Sequence, residues 1–437
     1  MRNWARNLFA SFLTLAARIA LYRHQPVLIV VVGPVGKTTI KDAIFAALAP
    51  LGAVRKSEKS HNTPLSVPLA ILGLPVPNAF WGWGVAAVGA WWRALTDRSF
   101  PRWLVLELGT DRPGDMEHFC CWLSPHIVVG SWFPEVPPHV EFFPEAESVY
   151  AEDWRILNAL PANGTVVVNA DDDFSLAYVQ RVLKNKSPVL AYGYTHNADV
   201  RLRRYSLLTT RRQGVVIPRG IRVTITNRLN RERIVVHRFG VVGATHAYPW
   251  AAAAAVRLAL GFPLAGLDAA ARVEPPTPGR LRSLEGKGGM VLIDDTYNAS
   301  PDATAAALET LRELPQQRKV AVLGDMLELG AHTQREHEKA GAHAAHIANC
   351  VITVGLRARR LAAAAREAGA KEVIECSSPQ EAANYILRRP EWHTPNTAVL
   401  LKASRGIHLE EAVRALLAHP QHDAALTVGG APASHLS

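Results

Sequence analysis

The chain has 437 residues, 49% of them hydrophobic, and a formal net charge of +10. That apolar content excludes a disordered chain, and the length leaves room for two or three domains, each with its own core. The positive charge is typical of a protein with anionic partners: nucleotides, anionic sugars, a membrane surface or nucleic acid. No nucleic-acid-binding signature accompanies it, so we expect no nucleic-acid partner. The four cysteines form no CxxC pair, and we expect buried, reduced thiols.

The N-terminal segment, residues 1–23, is basic and has apolar residues at helical spacing. Its apolar stretch, between Arg6 and Arg18, is too short to span a bilayer. Residues 1–25 are therefore predicted as a basic amphipathic helix. Two positions for it stay open, one packed on the body of the protein and one at a membrane interface. The tryptophan-rich segment 81–93 would be a second interfacial anchor in the latter case, although buried aromatics are the default.

Short apolar runs alternate with helical stretches through the first part of the chain. The sequence predicts buried strands of a mostly parallel sheet at 27–32, 103–108, 126–129, 165–169 and 189–192. Residues 196–240 break this alternation with hairpin-like patterning, in which the many arginines indicate a solvated basic face of antiparallel strands. An alanine-rich helix is predicted at 250–260.

A linker is predicted at 273–279, where clustered prolines and a glycine stop regular structure. A second α/β run follows it, with strands predicted at 290–293, 320–323, 350–354, 372–374 and 398–401. The expected fold class is α/β, with one domain at 26–275 and a second at 276–425. The last residues, 426–437, are expected to form a flexible tail.

Residues 33–39 read Gly-Pro-Val-Gly-Lys-Thr-Thr and lie where the first predicted strand turns into a helix. At such a turn, backbone N–H groups and the positive end of the helix dipole attract phosphate. Lys37 is placed to neutralise the β and γ phosphates, and the Thr38 hydroxyl to ligate Mg²⁺. The usual motif carries an additional glycine before this loop, which this chain lacks. The candidate nucleotide-binding residues are Gly33, Gly36, Lys37, Thr38 and Thr39.

Further candidate ligands for metal ions are acidic and histidine residues at or after strand ends. Glu107 ends an apolar strand, where ligands collect in open α/β sheets, and a carboxylate there suits Mg²⁺. The alternative is a merely solvated strand end. His139 and Glu141 follow another strand and its loop, and they are candidates for a second metal site. A lone histidine is more often structural.

The motifs described so far resemble the Mur ligases of peptidoglycan synthesis. The resemblance covers about residues 26–420 and includes the segments 33–39, 62–69, 106–109, 139–141 and 169–172. Four strings in the second half carry it furthest: Pro-Gly-Arg-Leu at 278–281, Asp-Asp-Thr-Tyr-Asn-Ala-Ser-Pro at 294–301, Val-Leu-Gly-Asp-Met-Leu-Glu-Leu-Gly at 322–330 and Lys-Ala-Ser-Arg at 402–405.

The resemblance implies a central P-loop-type ATPase domain and a C-terminal Rossmann-like domain that close over ATP and Mg²⁺. A substrate carboxylate would become an acyl phosphate, which an amine attacks to form an amide and release phosphate. The strings at 294–301 and 322–330 are similar to the branch of the family that adds D-alanyl-D-alanine to a UDP-N-acetylmuramoyl-tripeptide. A cytoplasmic enzyme is expected on the same grounds, with membrane contact through residues 1–24 and the oligomeric state left open.

The resemblance also implies roles for individual side chains. They divide into Mg²⁺ ligands (Thr38, Glu107 and His139), ATP contacts (Arg280 to the phosphates, Asp295 to the ribose and Asn298 on the adenine side), residues that reach the reaction centre from the second domain (Lys402, Ser404 and Arg405) and a substrate-loop residue (Asn62).

The chain departs from the family at three places. Most members place a carbamylated lysine at the second metal, where this chain has Asp153 with Glu152 beside it. Our hypothesis is that Asp153, or Glu152, ligates the second Mg²⁺ directly or through water. The family's His-Asn-x-x-Asn string appears as His-Ala-Tyr-Pro-Trp at 246–250, which suggests weaker base recognition or stacking on Trp250. Few residues precede the first strand, so the uridine nucleotide is expected to be held by the central domain, by a partner or by a membrane.

Two alternatives to the D-alanyl-D-alanine-adding ligase stay open. One is a related amide ligase that acts on a folate or a poly-amino-acid chain, and the strings at 294–301 and 322–330 argue against it. The other is a catalytically weakened nucleotide-binding scaffold of a cell-wall complex, suggested by the departures described above.

Overall fold

The computed structural model describes residues 3–58, 63–77, 79–184, 186–212, 214–419 and 426, with the side chains of all of these except 3–7 and 80. The first part of the chain is built on a nine-stranded sheet. Its elements are α1 (Asn3–His24), β1 (Val27–Val32), α2 (Lys37–Leu48), β2 (Val54–Lys56), α3 (Ser66–Leu72), α4 (Phe80–Thr96), β3 (Trp103–Glu107), α5 (Asp115–Cys120), β4 (Ile127–Gly130), α6 (Ala146–Trp154), β5 (Thr165–Asn169), α7 (Asp173–Leu183), β6 (Val189–Gly193), β7 (Val200–Arg212), β8 (Val215–Asn227), β9 (Arg233–Phe239), α8 (Tyr248–Ala259) and α9 (Leu267–Val273).

The second part is built on a six-stranded sheet. Its elements are β10 (Arg282–Glu285), β11 (Val291–Asp295), α10 (Pro301–Glu313), β12 (Arg318–Gly324), α11 (Thr333–Ala345), β13 (Cys350–Val354), α12 (Ala358–Glu367), β14 (Val373–Cys376), α13 (Pro379–Leu387), β15 (Thr397–Lys402) and α14 (Glu410–Leu416).

Both sheets are mostly parallel. The first has the strand order β2-β3-β1-β4-β5-β6-β7-β8-β9, and only the pairs β7–β8 and β8–β9 are antiparallel. The second has the order β10-β11-β15-β12-β13-β14, with β10 alone running antiparallel to its neighbour. The carboxyl ends of parallel strands share one edge of a sheet, and ligands bind there. The loops after β1, β3, β4 and β5 therefore lie together.

Helices cover both faces of the first sheet because successive strand residues point to opposite sides. On β1, Leu28, Val30 and Val32 pack into a core with α1, α3, α4 and α7. Ile29 and Val31 pack into a second core with α2, α8 and α9. The small alanine side chains of α8 let that helix lie close against α2. Burial on both faces explains why the parallel strands are continuously apolar.

The expected α/β fold class is confirmed, and each strand predicted in the two parallel runs is present with ends that differ by at most two residues. Residues 196–240 form the antiparallel strands β7, β8 and β9, on which Arg203, Arg204 and Arg222 are exposed as expected. Two short edge strands, β2 and β10, escaped prediction because three or four residues are too few to display a periodicity. The domain boundaries after 25, 275 and 425 stay predictions, and residues 427–437 of the expected tail lie outside the described residues.

The cysteine prediction is partly wrong. All four cysteines are free thiols, but only Cys350 and Cys376 are buried, whereas Cys121 is exposed.

No helix in the described part of the chain has the length and apolar content that crossing a bilayer requires.

Candidate active site

The loop between β1 and α2 has the backbone geometry of a phosphate cradle. Gly33 and Gly36 have φ angles of 114° and 90°, a region that side chains with a Cβ atom rarely adopt. A Cβ atom on Gly33 would lie 2.4 Å from the Ser131 Oγ atom, so the loop also lies close against the segment after β4. Helix α2 begins at Lys37, and its first N–H groups have no partner within the helix. The loop can therefore surround a phosphate group with backbone donors.

Two side chains of this loop, those of Lys37 and Thr38, are held in place by hydrogen bonds. The Lys37 Nζ atom donates to the Gly33 carbonyl over 2.6 Å, which holds the ammonium group over the loop. The Thr38 hydroxyl donates to the Glu107 carboxylate over 3.0 Å. Glu107 is only 2% exposed and also contacts the Lys41 Nζ atom at 3.2 Å. A hydroxyl and a carboxylate side by side are oxygen ligands of the kind that Mg²⁺ accepts beside phosphate oxygens and water.

Asp153 lies close to the same loop. Its carboxylate is 2% exposed and accepts a hydrogen bond of 2.7 Å from the Thr110 hydroxyl. Burial raises the pKa of Asp153 to about 6, while the nearby charges of Lys37 and His139 act in the opposite direction. Lys37 and His139 are therefore both near enough to influence the charge of Asp153. A cation bound there would favour the charged carboxylate.

Glu152 faces away from that position. Its carboxylate accepts from the Gly114 and Met116 backbone N–H groups over 3.1 and 2.9 Å and thereby fixes the start of α5. The geometry therefore favours Asp153 over Glu152 as the acidic group at the second metal position.

His139 lies at the boundary between the two parts of the chain. Its Nδ1 atom is 3.2 Å from the Glu328 carboxylate, and its Nε2 atom is 3.6 Å from that of Asp111. Glu141 is exposed and packs beside Gly330. Within the described ranges, no three His, Cys, Asp or Glu side chains stand close enough together to hold a metal ion by themselves. The donors present thus fit Mg²⁺ sites that nucleotide phosphates, the Thr38 hydroxyl and water would complete.

The second part of the chain contributes a buried ion pair to the site. The Lys402 Nζ atom at the end of β15 lies 2.6 Å from the Asp295 carboxylate at the end of β11 and also donates to the Asn298 carbonyl over 3.0 Å. Burial lowers the pKa of Lys402, and Asp295 opposes that effect. The Arg280 guanidinium lies over the Tyr297 ring at 4.2 Å, and that of Arg405 at 5.6 Å.

Ser404, the third residue of the Lys-Ala-Ser-Arg string, makes hydrogen bonds that hold neighbouring strand ends together. Its hydroxyl accepts from the Leu327 N–H group over 2.9 Å and donates to the Ala299 carbonyl over 3.3 Å. It thereby joins the ends of β11, β12 and β15. Asn62 lies outside the described residues.

One cavity of about 270 Å³ lies between the two sheets and collects residues from both. Six predicted site residues line it: Gly36, Thr38, Thr39, Arg280, Asp295 and Lys402. The other predicted site residues that the structure describes do not line the cavity: Gly33, Lys37, Glu107, His139, Asp153, Asn298, Ser404 and Arg405. A ligand in this cavity would touch the phosphate loop on one side and the Asp295–Lys402 pair on the other.

Several lining residues were not anticipated from the sequence. Trp132 follows β4, and its indole N–H donates to the Asp302 carboxylate of α10 over 3.2 Å across the cavity. Asn169 ends β5 and also lines the cavity. The carboxyl-end position of Trp132 and Asn169 in a parallel sheet was the available signal. Nothing in the sequence indicated the contact between Trp132 and Asp302, because these two residues are far apart in the chain.

The suggested stacking of a base on Trp250 is wrong. Trp250 is 2% exposed, lies in the core between α8 and the sheet, and packs under the Arg238 guanidinium at 5.5 Å. The aromatic ring that lines the cavity is Tyr248, whose hydroxyl donates to Asp171 over 2.8 Å. Burial and the nearby Arg238 charge lower the pKa of His246 to about 4. His246 is then neutral, and its Nε2–H group donates to the Arg280 carbonyl over 3.0 Å.

Two family models match the chain on either side of this cavity. The Mur ligase middle domain matches residues 96–256, and the Mur ligase glutamate ligase domain matches residues 279–405. Together they span more than half of the chain. The chain belongs to the Mur ligase family. It is accordingly an ATP-dependent peptide ligase, as predicted.

Relatives match this Mur ligase in sequence over most of its length. It is 25% identical to the UDP-N-acetylmuramoyl-tripeptide–D-alanyl-D-alanine ligase of Escherichia coli (strain K12) over 386 residues, which cover 88% of this chain and 75% of the relative. The Bacillus subtilis (strain 168) enzyme of the same name is 25% identical over 392 residues, covering 89% and 76%.

Solved structures resemble this Mur ligase in fold. MurF from Acinetobacter baumannii has a TM-score of 0.74 at 22% identity and covers 92% of this chain and 79% of its own. MurF ligase from Thermotoga maritima in complex with ADP has a TM-score of 0.73 at 23% identity, covering 93% and 83%. Folylpolyglutamate synthase from Mycobacterium tuberculosis has a TM-score of 0.64 at 15% identity, covering 92% and 94%.

The phosphate cradle of this Mur ligase yields a first prediction. We expect Gly33→Ala to destabilise the fold by about 1–3 kcal/mol, because alanine is strained at this φ angle and its Cβ atom would meet Ser131. It should also weaken ATP binding. The control is Gly369→Ala, where φ is 83° but no atom lies within 4 Å of the added Cβ atom. Urea unfolding and ATP titration of both variants check this, and equal ATP affinity in the two would contradict it.

Proposed function

We propose that this Mur ligase adds D-alanyl-D-alanine to a UDP-N-acetylmuramoyl-tripeptide, with ATP and Mg²⁺, in the synthesis of peptidoglycan precursors. The observation that carries the proposal is the cavity itself, in which the phosphate loop at Thr38 faces the Asp295–Lys402 pair. The relatives of the same name, which match this chain over most of its length, support the choice of substrates.

The reaction needs a carboxylate, a phosphoryl donor and an amine in one cavity. The terminal carboxylate of the tripeptide attacks the γ-phosphorus of ATP, ADP leaves, and an acyl phosphate forms. The amino group of D-alanyl-D-alanine then attacks the acyl carbon, inorganic phosphate leaves, and the amine proton is lost to solvent or a base. Positioning and charge compensation supply most of the rate enhancement in such a transfer.

The residues of this chain would supply that positioning. The backbone cradle at Gly33 and Gly36 holds the phosphates, and the Lys37 ammonium group stabilises the charge that develops on the transferred group. Thr38 and Glu107 would hold one Mg²⁺, and His139 and Asp153 the second. Bound Mg²⁺ offsets negative charge on the phosphoryl oxygens. Lys402 and Arg280, from the second part, would meet the acyl phosphate and the ATP phosphates respectively. Groups from both parts imply that closure is part of the cycle.

A substrate panel tests the proposal. The purified chain is incubated with ATP, Mg²⁺ and D-alanyl-D-alanine together with muramoyl-tripeptides that differ in the third residue. Phosphate release and product mass are followed. We expect one amide per phosphate released with at least one tripeptide. In parallel, a folate with glutamate is offered as the alternative substrate pair.

Two outcomes would contradict the proposal. Amide formation with the folate pair alone would favour the folate-type ligase, whose structural relative shares only the fold. Phosphate release that never yields an amide would favour a nucleotide-binding scaffold. The Lys37→Met variant, purified in the same way, controls for contaminating phosphatase.

Base recognition gives a further prediction. We expect Tyr248→Ala to raise the KM for ATP about tenfold, because loss of a stacking ring costs roughly 1–3 kcal/mol, with a smaller change in kcat. Tyr248→Phe keeps the ring and should retain most of the affinity. Steady-state kinetics with ATP and GTP measure both effects, and Tyr22→Ala, which removes an 82% exposed ring elsewhere, is the control. Unchanged ATP kinetics in Tyr248→Ala would place the base elsewhere.

A further inference from the structure

Helices α1 and α4 pack side by side on the outer face of the first sheet. The Phe9 and Trp83 rings lie 5.8 Å apart, and the Phe12 and Trp91 rings lie 5.2 Å apart. Near the other end of the pair, the Arg23 guanidinium donates to the Ala94 carbonyl. Inward-facing residues of both helices belong to the core beneath them. The two helices therefore form one two-helix layer with a shared outer face.

That outer face is apolar. It carries nine of the fifteen exposed large hydrophobic residues in the described part of the chain. They are Leu8 (60% exposed), Phe12 (45%), Leu15 (48%), Tyr22 (82%), Trp81 (85%), Val85 (76%), Val88 (74%), Trp92 (69%) and Leu95 (56%). Those on α4 recur at intervals of three and four residues, so they line one side of the helix. Contiguous apolar patches of this kind on a protein surface mark an interaction site. We call this set of nine residues the α1–α4 face.

Helices α1 and α4 carry basic but no acidic side chains, and Asp97, which directly follows α4, is paired with Arg55 at 3.9 Å. Neither residues 1–24 nor residues 79–96 contain an aspartate or glutamate. The same segments contain arginines at positions 2, 6, 18, 23 and 93, and Arg18 is exposed on α1. A surface that combines an apolar stripe, tryptophan and tyrosine rings and arginines without acids complements an anionic lipid interface.

We propose that the α1–α4 face docks this ligase on an anionic phospholipid bilayer, with both helices lying in the plane of the interface. Tryptophan and tyrosine favour the headgroup region because their rings are apolar and carry a polar tip. A second copy of this chain fits the face less well, since arginines would meet arginines with no acidic side chain on either helix to pair with them. This inference is independent of the substrates proposed above.

Vesicle flotation with the full chain tests the proposal. The probes are vesicles of phosphatidylcholine alone and vesicles of phosphatidylcholine mixed with phosphatidylglycerol. We expect the chain to float with the mixed vesicles and to dissociate from them as salt is raised, since screening weakens attraction between exposed charges. Vesicles without the anionic lipid should bind it several-fold more weakly.

A matched pair of variants assigns the binding to the face. Val85→Asp combined with Val88→Asp places two charges on residues that are 76% and 74% exposed. Leu229→Asp combined with Val273→Asp makes the same change at 76% and 79% exposed positions away from the face. We expect the first pair to lower vesicle binding by at least about tenfold, because each charge must be kept out of the interface, and the second pair to leave it unchanged. A thermal melt serves as the folding control for both pairs.

Three results would overturn the proposal. The first is equal binding to both kinds of vesicle. The second is equal loss of binding in the two variant pairs. The third is a concentration-dependent dimer, seen by light scattering without lipid and abolished only by the Val85 and Val88 changes, which would assign the face to a second copy of this chain. Failure of the D-alanyl-D-alanine assay would leave the flotation result untouched, so the two proposals fail separately.

Discussion

Replacing Lys37 with methionine is expected to lower kcat/KM for ATP by about a thousandfold, the size of effect seen when one preorganised charge-stabilising donor is removed. The Lys37 ammonium group is held over the phosphate loop by the Gly33 carbonyl at 2.6 Å, so it is positioned before ATP arrives. Methionine keeps most of the length of the side chain but carries no charge. The loss should therefore appear in catalysis and not in folding.

Steady-state phosphate release measures this loss, and a thermal melt checks that the variant is folded. The matched control is Lys371→Met, which removes an exposed lysine far from the loop and should leave kcat/KM unchanged. A drop of less than about tenfold in Lys37→Met would show that the backbone cradle and the metal ions supply the charge compensation without this lysine.

The second large effect is expected at Asp153. We predict that Asp153→Ala raises the Mg²⁺ concentration for half-maximal activity by about tenfold or more, as losses of single groups at metal sites typically do. Asp153 is buried beside Lys37 and His139, and its charged form has the Thr110 hydroxyl as a donor at 2.7 Å. Its removal deletes a negative charge where a second Mg²⁺ would sit. Activity at saturating Mg²⁺ should fall much less.

Two comparison variants separate metal binding from structure in that prediction. Asp173→Ala removes an exposed carboxylate at the start of α7 and should leave the Mg²⁺ titration unchanged. Glu152→Gln weakens the acceptor of the Gly114 and Met116 N–H groups, so we expect lower stability to urea with an unaltered Mg²⁺ requirement. An Asp153→Ala titration that overlays the wild-type curve would end the hypothesis that this aspartate replaces the family's modified lysine.

Local patterns were sufficient for the parallel strands and the phosphate loop. Strands such as β1 are apolar throughout because both faces are covered, and that signal needs no knowledge of their partners. The loop at 33–39 could also be predicted without knowledge of distant residues, because its turn, its lysine and the start of its helix are contiguous in the chain. The same patterns could not place Trp250 and Tyr248, which are two residues apart on α8. One faces the core and the other the cavity, and only the packing of α8 against the sheet determines which.

The family relationship was therefore determined by the sequence itself, and the residues proposed to hold phosphate were named from it, because each depends on neighbours in the chain. Which residues meet across the cavity was decided only by the tertiary structure. The contacts of Trp132 with Asp302 and of His139 with Glu328 join residues from the two sheets. The sequence likewise left open whether the apolar residues of α1 and α4 are buried or exposed. The packing of the two helices on each other shows which of them are exposed. Such contacts depend on how sheets and helices pack against one another in three dimensions. The local spacing of residues in the sequence does not determine that packing.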